Sequence, residues 1–533
     1  HDDQPEGLEM DRLSSINNII GISRMKDKER KALEKRIRNQ INIVGVHEMQ
    51  AKKAAKGEHI EGSIKRRDEA FEAEGGKGKG RVLASIFRIV KEHQTLQWVR
   101  NEEGELASEP GEVKRVVKEF FQSWMASKVS AQSRWGGDCP MKAWKRMQAL
   151  DTSLMPKRYK DFVKECYMEP RTENREKVLL HNIFKGIKDE ITIEDLVKAI
   201  KRSPAKSAAG PSRVGNLAFQ MLGEEGLEGI RALFNRCLKE NTIPNCINTA
   251  TMCLLPKTEA GLDDLNKVRP IALMENITKI FERIVIGRVT EDIQKWEMLD
   301  LAQYGGLPGS GVRAPTRILA EVIEDANATG QELHLLIADL SKAFDTMEYW
   351  SQSMSWDCLG MPADVVELMV SLDRGDITEG GGASTEVGLA QGRKTEPFMH
   401  GRGVRQGSVG GPLKWCVFVH FWLQWVRKKM SGKGYKMSHT QAGNNIADAL
   451  QGKKTDREEA VMDAMMFIDD SGWATSSKGA MQEMVGMHET FCEFHAVQLH
   501  KTKSELFSIN HDPGGEKIRW AGKDGKAGEE IEN

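Results

Sequence analysis

Two kinds of apolar spacing run along the chain. Met465, Met466, Phe467 and Ile468 form a short unbroken apolar run, and Trp473 and Ala474 resume it beyond the turn-compatible pair Ser471-Gly472. Such a run predicts a buried strand, with Asp469 and Asp470 at the bend of a hairpin. Leu335–Ala338 is a second unbroken run and ends on Asp339. Ala250–Pro256 reads as a strand that closes on Lys257, and Leu96–Val99 with Glu103–Leu106 reads as a small hairpin. Elsewhere the period is helical. It holds Leu83, Ile86, Phe87 and Val90, then Val113, Val116, Val117, Phe120 and Phe121 after Pro110. It returns with Leu196, Val197 and Ile200 behind a Thr192 cap with acidic Asp195. Leu233, Cys237 and Leu238 continue it, as do Ile277, Ile280, Phe281, Ile284 and Val285. Ile318, Leu319, Val322 and Ile323 follow Pro315 and stop at Gly330.

The remaining stretches lack a period. Residues 1 to about 72 are polar and mildly basic, and Lys26–Arg38 alternates charge as a solvated helix does. Gly75–Gly80 reads as a flexible linker, since its spacing is not that of a phosphate-binding loop. Residues 127–180, with Trp135, Pro140 and Trp144, read as an irregular connector. The polar segment from Arg427 to Asp463 reads as a surface insertion.

Composition narrows the classes. A chain of 533 residues has room for two to four domains. Its formal net charge of −1 gives no global basic signature, so contact with nucleic acid rests on local patches such as Lys65-Arg66-Arg67. Eight cysteines are scattered without a Cys-x-x-Cys pair, which points to free thiols in a reducing compartment. Without an apolar run of ~18 residues or a signal peptide, a secreted or membrane-spanning protein is not expected. Met481, Met484, Val485, His488, Cys492 and His495 recur at helical spacing. No fourth ligand accompanies the last three, so they read as a helix face, not a metal site.

The carboxylates carry the chemistry. Asp469 beside Asp470 concentrates negative charge at one bend, and Mg²⁺ is the natural counterion for clustered carboxylate oxygen. If the Asp339 strand lies alongside, Asp339 and Asp469 can share two Mg²⁺ ions, with Mn²⁺ as a substitute. That arrangement serves in-line nucleotidyl transfer, one ion activating the attacking hydroxyl and the other holding the triphosphate.

At these residues the chain resembles a known family. Ala338-Asp339-Leu340-Ser341-Lys342-Ala343-Phe344-Asp345 resembles motif A of reverse transcriptases. Gly401–Leu413, containing Arg405-Gln406-Gly407-Ser408, resembles motif B, and Phe467-Ile468-Asp469-Asp470 resembles motif C. Leu499–Ser504 resembles motif D, Gln303-Tyr304-Gly305 the family's Gln-x-Gly turn, and Ile518–Gly522 the primer-grip turn. The set is most similar to the non-LTR (LINE-type) retrotransposon branch, over about residues 190–510 and weakly over 80–125.

The resemblance implies an α+β right-hand polymerase. Its fingers would span 190–330 and its palm 331–510, with an antiparallel palm sheet backed by helices. A helical N-terminal extension with linker (1–80), a helical connector (81–189) and a short tail (511–533) complete the division. Asp339, Asp469 and Asp470 would bind metal, Asp470 less directly, while Asp345 is structural. Lys257 and Arg269 would reach the incoming triphosphate, Arg as a bidentate fork and Lys as a point charge. Phe344 matches the steric gate against a 2′-OH. Gln406 and Gly407 would face the nascent pair with Arg405 close by, and Lys503 would protonate the pyrophosphate.

The sequence departs from the pattern at Ser212 for Asp, Ile468 for Ala and His500 for Asn. Lys414-Trp415 replaces an apolar pair, a change expected to alter helix packing but not the metal site. The implied partners are an RNA template, a DNA primer or nicked target DNA, and dNTPs, in a nuclear or cytoplasmic ribonucleoprotein with no membrane. Oligomeric state is not legible. The sequence is expected to be a fragment, with no thumb after it and no endonuclease before it. The alternatives are an intron-encoded reverse transcriptase, an RNA-templated RNA polymerase, or a non-catalytic RNA-binding remnant. Phe344 and the Arg269-Pro270-Ile271 strand argue against RNA synthesis.

Overall fold

In the computed structural model the described residues are 96–531, apart from 130–148, 150, 154, 206, 258–261, 310, 378–380, 441–456, 513, 515–516 and 522–526. Expectations for residues 1–95, for Trp135, Pro140 and Trp144, and for 441–456 within the Arg427–Asp463 segment therefore lie outside the described residues.

Near the start, Val99–Arg100 (β1) and Leu106–Ala107 (β2) pair as the expected hairpin. Pro110–Trp124 (α1) follows, with proline in its first turn, where no helical N–H is lost. Its buried face, Val113, Val117, Phe121 and Trp124, packs on Met252, Leu254, Val387 and Phe398.

The expected irregular connector is corrected here. Lys157–Val163 (α2) runs through a π-turn at Lys164–Met168 into Glu169–His181 (α3). Tyr159, Phe162, Val163, Cys166 and Tyr167 are all buried, at helical spacing, so the burial of one face drives the helix. Ile193–Lys201 (α4) starts at the expected capping box. The Thr192 hydroxyl accepts from Asp195 N at 3.1 Å, and the Asp195 carboxylate accepts from Thr192 N at 3.3 Å. Glu224–Glu240 (α5) ends at Asn241, which takes φ 52.

Among the described residues, two four-stranded sheets form the frame of the site. The first contains Thr249–Pro256 (β3) and Val268–Met274 (β4), paired antiparallel. Asn276–Lys295 (α6) and Arg313–Thr329 (α7) lead to the second, whose central strand is Leu333–Ala338 (β5). Leu340–Ser341 (β6), Tyr349–Cys358 (α8) and Ala363–Arg374 (α9) follow. The chain then returns to the first sheet. Ser384–Val387 (β7) pairs parallel to β3, and Phe398–Met399 (β8) closes the order β4-β3-β7-β8.

Gly411–Lys429 (α10) precedes Tyr435–Thr440 (β9) and Arg457–Met462 (β10), which form an antiparallel ribbon. Tyr435, Met437 and Met462 are buried, so the ends of the expected surface insertion are part of the core. Ala464–Phe467 (β11) and Asp470–Thr475 (β12) form the acidic hairpin. Ser471 and Gly472 stand inside β12, and the bend is Ile468-Asp469, with Ile468 at φ 62. Lys478–His495 (α11), Gln498–Leu499 (β13) and Glu505–Ile509 (β14) follow. Arg519–Ala521 (β15) and Ala527–Glu530 (β16) make a last hairpin, which Gln482 and Glu489 of α11 hold by hydrogen bonds.

The second sheet has the order β11-β12-β5-β14 and is antiparallel throughout. Leu336, Ala338, Met466 and Trp473 face one core with α10 and α11, while Leu333, Leu335, Met465 and Ala474 face another with α7 and β9. Burial on both faces explains why these strands read as unbroken apolar runs. His488, Cys492 and His495 lie on the buried face of α11, as expected for a packing stripe. Among the described residues no helix is long and apolar enough to cross a membrane.

Candidate active site

The ladder itself brings the carboxylates together. Ser471 pairs with Ala338 across β12 and β5, and Asp470 and Asp339 are the next residues beyond that last pair. Asp469 occupies the two-residue bend between Phe467 and Asp470. The bend is held from two sides. Gln303 Oε1 accepts from Ile468 N at 2.9 Å and its Nε2 donates to Ile468 O at 3.3 Å. Trp415 Nε1 donates to the same carbonyl at 2.7 Å. The expectation that Lys414-Trp415 would touch only helix packing is thereby corrected, because Trp415 fixes the backbone beside Asp469. A Cβ on Gly305 would stand 2.6 Å from Ile468 Cγ1, so that close approach needs glycine.

Burial pushes the Asp469 carboxyl up to about 6, with Asp470 and Asp339 adding repulsion and Arg269 opposing it. Asp470 is raised for the same reasons, burial first and then Asp339, with Lys503 opposing. The short pairing of β13 with β6 and a bond from His500 N to Asp339 O at 2.9 Å deliver Lys503. Its Nζ lies 3.5 Å from Asp339 Oδ2.

These groups open onto a cleft of about 800 Å³. Lys257, Arg269, Asp339, Phe344, Gln406, Gly407, Asp469 and Lys503 all line it, whereas the exposed Asp470 does not. Arg269 stands on β4 opposite Leu255, and Lys257 N donates to Lys267 O just past the end of β3. The Gln406-Gly407 loop sits on β4, where Ala272 N donates to Gln406 O at 2.8 Å. Gly407 takes φ 150, and a Cβ there would meet Ala272 O at 2.2 Å. Phe344 packs against Trp415 with ring centres 5.6 Å apart.

Arg405 also lines the cleft beside Gln406 and Gly407, as expected. Its buried guanidinium donates to Asn248 O at 3.2 Å and Leu372 O at 3.0 Å, so it anchors the loop from beneath. Asp345 is buried, accepts from Gln406 Nε2 at 3.0 Å, and is pushed up to about 7 by burial.

Sequence reasoning missed Glu282. Fully buried, it accepts from Ser408 Oγ at 3.1 Å and Val409 N at 2.7 Å. A lone carboxylate beside Phe281 on the apolar face of α6 was the available signal. Trp124 and Lys342, which also line the cleft, had no local signal.

Comparison with known proteins now decides the family. Residues 255–524 match the family described as "Reverse transcriptase (RNA-dependent DNA polymerase)". The chain belongs to the reverse transcriptase family. Its similar relatives come from retrotransposable elements. The Pol polyprotein of the type-1 element R2 of Nasonia vitripennis is 28% identical over 239 residues, covering 45% of this chain and 21% of the relative. The RNA-directed DNA polymerase from mobile element jockey of Drosophila melanogaster is 25% identical over 235 residues, covering 43% and 24%. The R2DM polyprotein of the same fly is 24% identical over 371 residues, covering 69% and 31%. The chain thus spans from about a fifth to a third of these relatives' lengths. A structure of apo telomerase from Candida tropicalis, truncated from the C-terminal domain, is 10% identical, with a TM-score of 0.34 and coverage of 51% of this chain and 52% of that one.

The family's fold is that of polymerase fingers and palm. The carboxylates of Asp339, Asp469 and Asp470 offer oxygen alone, the donor chemistry of Mg²⁺ or Mn²⁺. Their mutual repulsion at Asp469 is what a bound cation would relieve. Among the described residues no three His, Cys, Asp or Glu side chains are grouped so as to hold a metal ion as they stand.

Proposed function

We propose that this chain adds deoxynucleotides to a primer 3′-hydroxyl on an RNA template. The observation that carries the reading is one cleft lined by Lys257, Arg269, Asp339, Phe344, Gln406, Gly407, Asp469 and Lys503, residues drawn from separate stretches of sequence. Asp339 and Asp469, with Asp470 less directly, would hold two Mg²⁺ ions. When bound, these would acidify the primer hydroxyl and neutralise the triphosphate. The chain's own groups supply the rest. Arg269 and Lys257 bind polyphosphate from the β3–β4 side. Phe344, backed by Trp415, fills the space a 2′-OH would need. Gln406 and Gly407, seated on β4, form the floor for the new base pair. Lys503, beside Asp339, donates a proton to the departing pyrophosphate.

On this reading fingers run over about 190–330 and palm over 331–510, with an N-terminal helical extension over 1–80, a connector over 81–189 and a tail at 511–533. A retrotransposon parent would use nicked target DNA as primer and its own transcript as template, within a nuclear or cytoplasmic ribonucleoprotein. The test is extension of oligo(dT) on poly(rA) with dTTP, with Mg²⁺ and with EDTA. Mg²⁺-dependent extension supports the reading. Salt-dependent RNA binding without extension under either condition would point to an RNA-binding remnant.

A further inference from the structure

The site leaves one cation unassigned. Lys342 lines the same cleft as Lys257 and Arg269, and among the described residues none of the three makes an ion pair. Cations elsewhere on this chain find carboxylates readily, as in Arg171 and Arg175 on Asp357 or Lys414 on Asp373. The two carboxylates nearest Lys342 in sequence are already engaged, Asp345 by Gln406 and Asp339 by Lys503.

The placement of Lys342 is specific. It takes φ 56, a left-handed conformation that costs a residue with a Cβ. Its ammonium lies 3.3 Å from the ring centre of Trp124 and 5.8 Å from that of Phe120. The Trp124 ring is itself fixed, stacked on Phe121 with centres 5.5 Å apart. Arg402, at the start of the Gly-rich loop, donates to Trp124 O at 2.9 and 3.2 Å. Burial lowers the Lys342 pKa to about 8, with Lys257 and Arg402 adding to the effect and Asp345 opposing it. A half-buried charge in a strained backbone, with an aromatic ring for its neighbour, is a cost that an anion in the cleft would offset.

We propose that Lys342 is a third cationic contact for the polyphosphate of the incoming nucleotide, with Trp124 as the positioning residue that holds its ammonium at the cleft wall. The inference rests on the polymerase reading and extends it. It makes α1, which precedes the matched family region, part of the nucleotide site.

The test is equilibrium dialysis of dTTP and of dTMP against the full chain with Mg²⁺ and poly(rA) paired to dideoxy-terminated oligo(dT), so that no chemistry occurs. Lys342→Ala should weaken dTTP about 10-fold or more and dTMP less than about 2-fold. Lys342→Arg should retain most of the affinity. Trp124→Phe should stay close to wild type and Trp124→Leu should selectively weaken dTTP, the Phe variant covering the case in which Leu fails to fold. Equal loss of dTTP and dTMP in Lys342→Ala would mark a purely structural role and overturn the proposal, as would no loss. A wild type that binds dTTP no more tightly than dTMP would instead overturn the polymerase reading and the proposal with it.

Discussion

Lys414→Met tests the burial beneath the active site. Lys414 Nζ lies 2.6 Å from Asp373 Oδ2, and both side chains are 0% exposed. Removing the ammonium leaves the carboxylate buried, with Gln352 Nε2 at 3.2 Å from Oδ2 and, among the described residues, no donor to Oδ1. It also withdraws the cation that counters burial at Glu282, which braces Ser408 and Val409. Breaking one side of a buried pair costs about 3–5 kcal/mol, against a total stability of about 5–15 kcal/mol. Replacing both partners with apolar side chains should recover most of the loss, since two desolvation penalties vanish together. The assay is urea unfolding of wild type, Lys414→Met, Asp373→Leu and the double variant. The expected coupling energy is at least about 2 kcal/mol. A single-variant loss below about 1 kcal/mol, or strict additivity, would refute the claim that this pair is sealed from water.

Three further outcomes follow from the geometry. Gly407→Ala puts a Cβ against Ala272 O and should cost about 1–3 kcal/mol and raise the KM for dNTP; an unchanged urea midpoint would mean the loop does not rest on β4. Phe344→Val should raise ribonucleotide incorporation by about 10-fold or more relative to dNTP, read by primer extension, and unchanged sugar selectivity would remove Phe344 from the gate. Burial lifts Asp345 to about 7, above the ordinary 3.8, so its contribution to stability is complete below 3.8 and is lost as pH rises through 7. Asp345→Asn should therefore flatten the fall in urea midpoint between about pH 4 and pH 7, and an undiminished fall would place the titration elsewhere.

What the sequence made legible was local chemistry. The acidic hairpin, the Asp339 strand end and the Thr192–Asp195 capping box each lie within a few residues and are found, although the bend falls on Ile468-Asp469, one residue before the expected Asp469-Asp470. The helix through Tyr159, Phe162, Val163, Cys166 and Tyr167 was equally local but was hidden by the aperiodic residues before it. The rest was long-range. Nothing in Ser384–Val387 signals that it pairs parallel to β3, more than a hundred residues away. Arg405 lines the cleft beside Gln406 as its motif implies, but its anchoring of the loop through Asn248 and the Leu372 carbonyl had no local signal. Trp415 resembles a departure from pattern and proves to hold the Ile468 carbonyl.

The most direct test of the central claim is primer extension on poly(rA)/oligo(dT) with Mg²⁺, comparing the chain with Asp469→Asn. The account predicts dTTP incorporation that falls about 100-fold or more in the variant, with RNA binding unchanged. Extension by Asp469→Asn at the wild-type rate would contradict it.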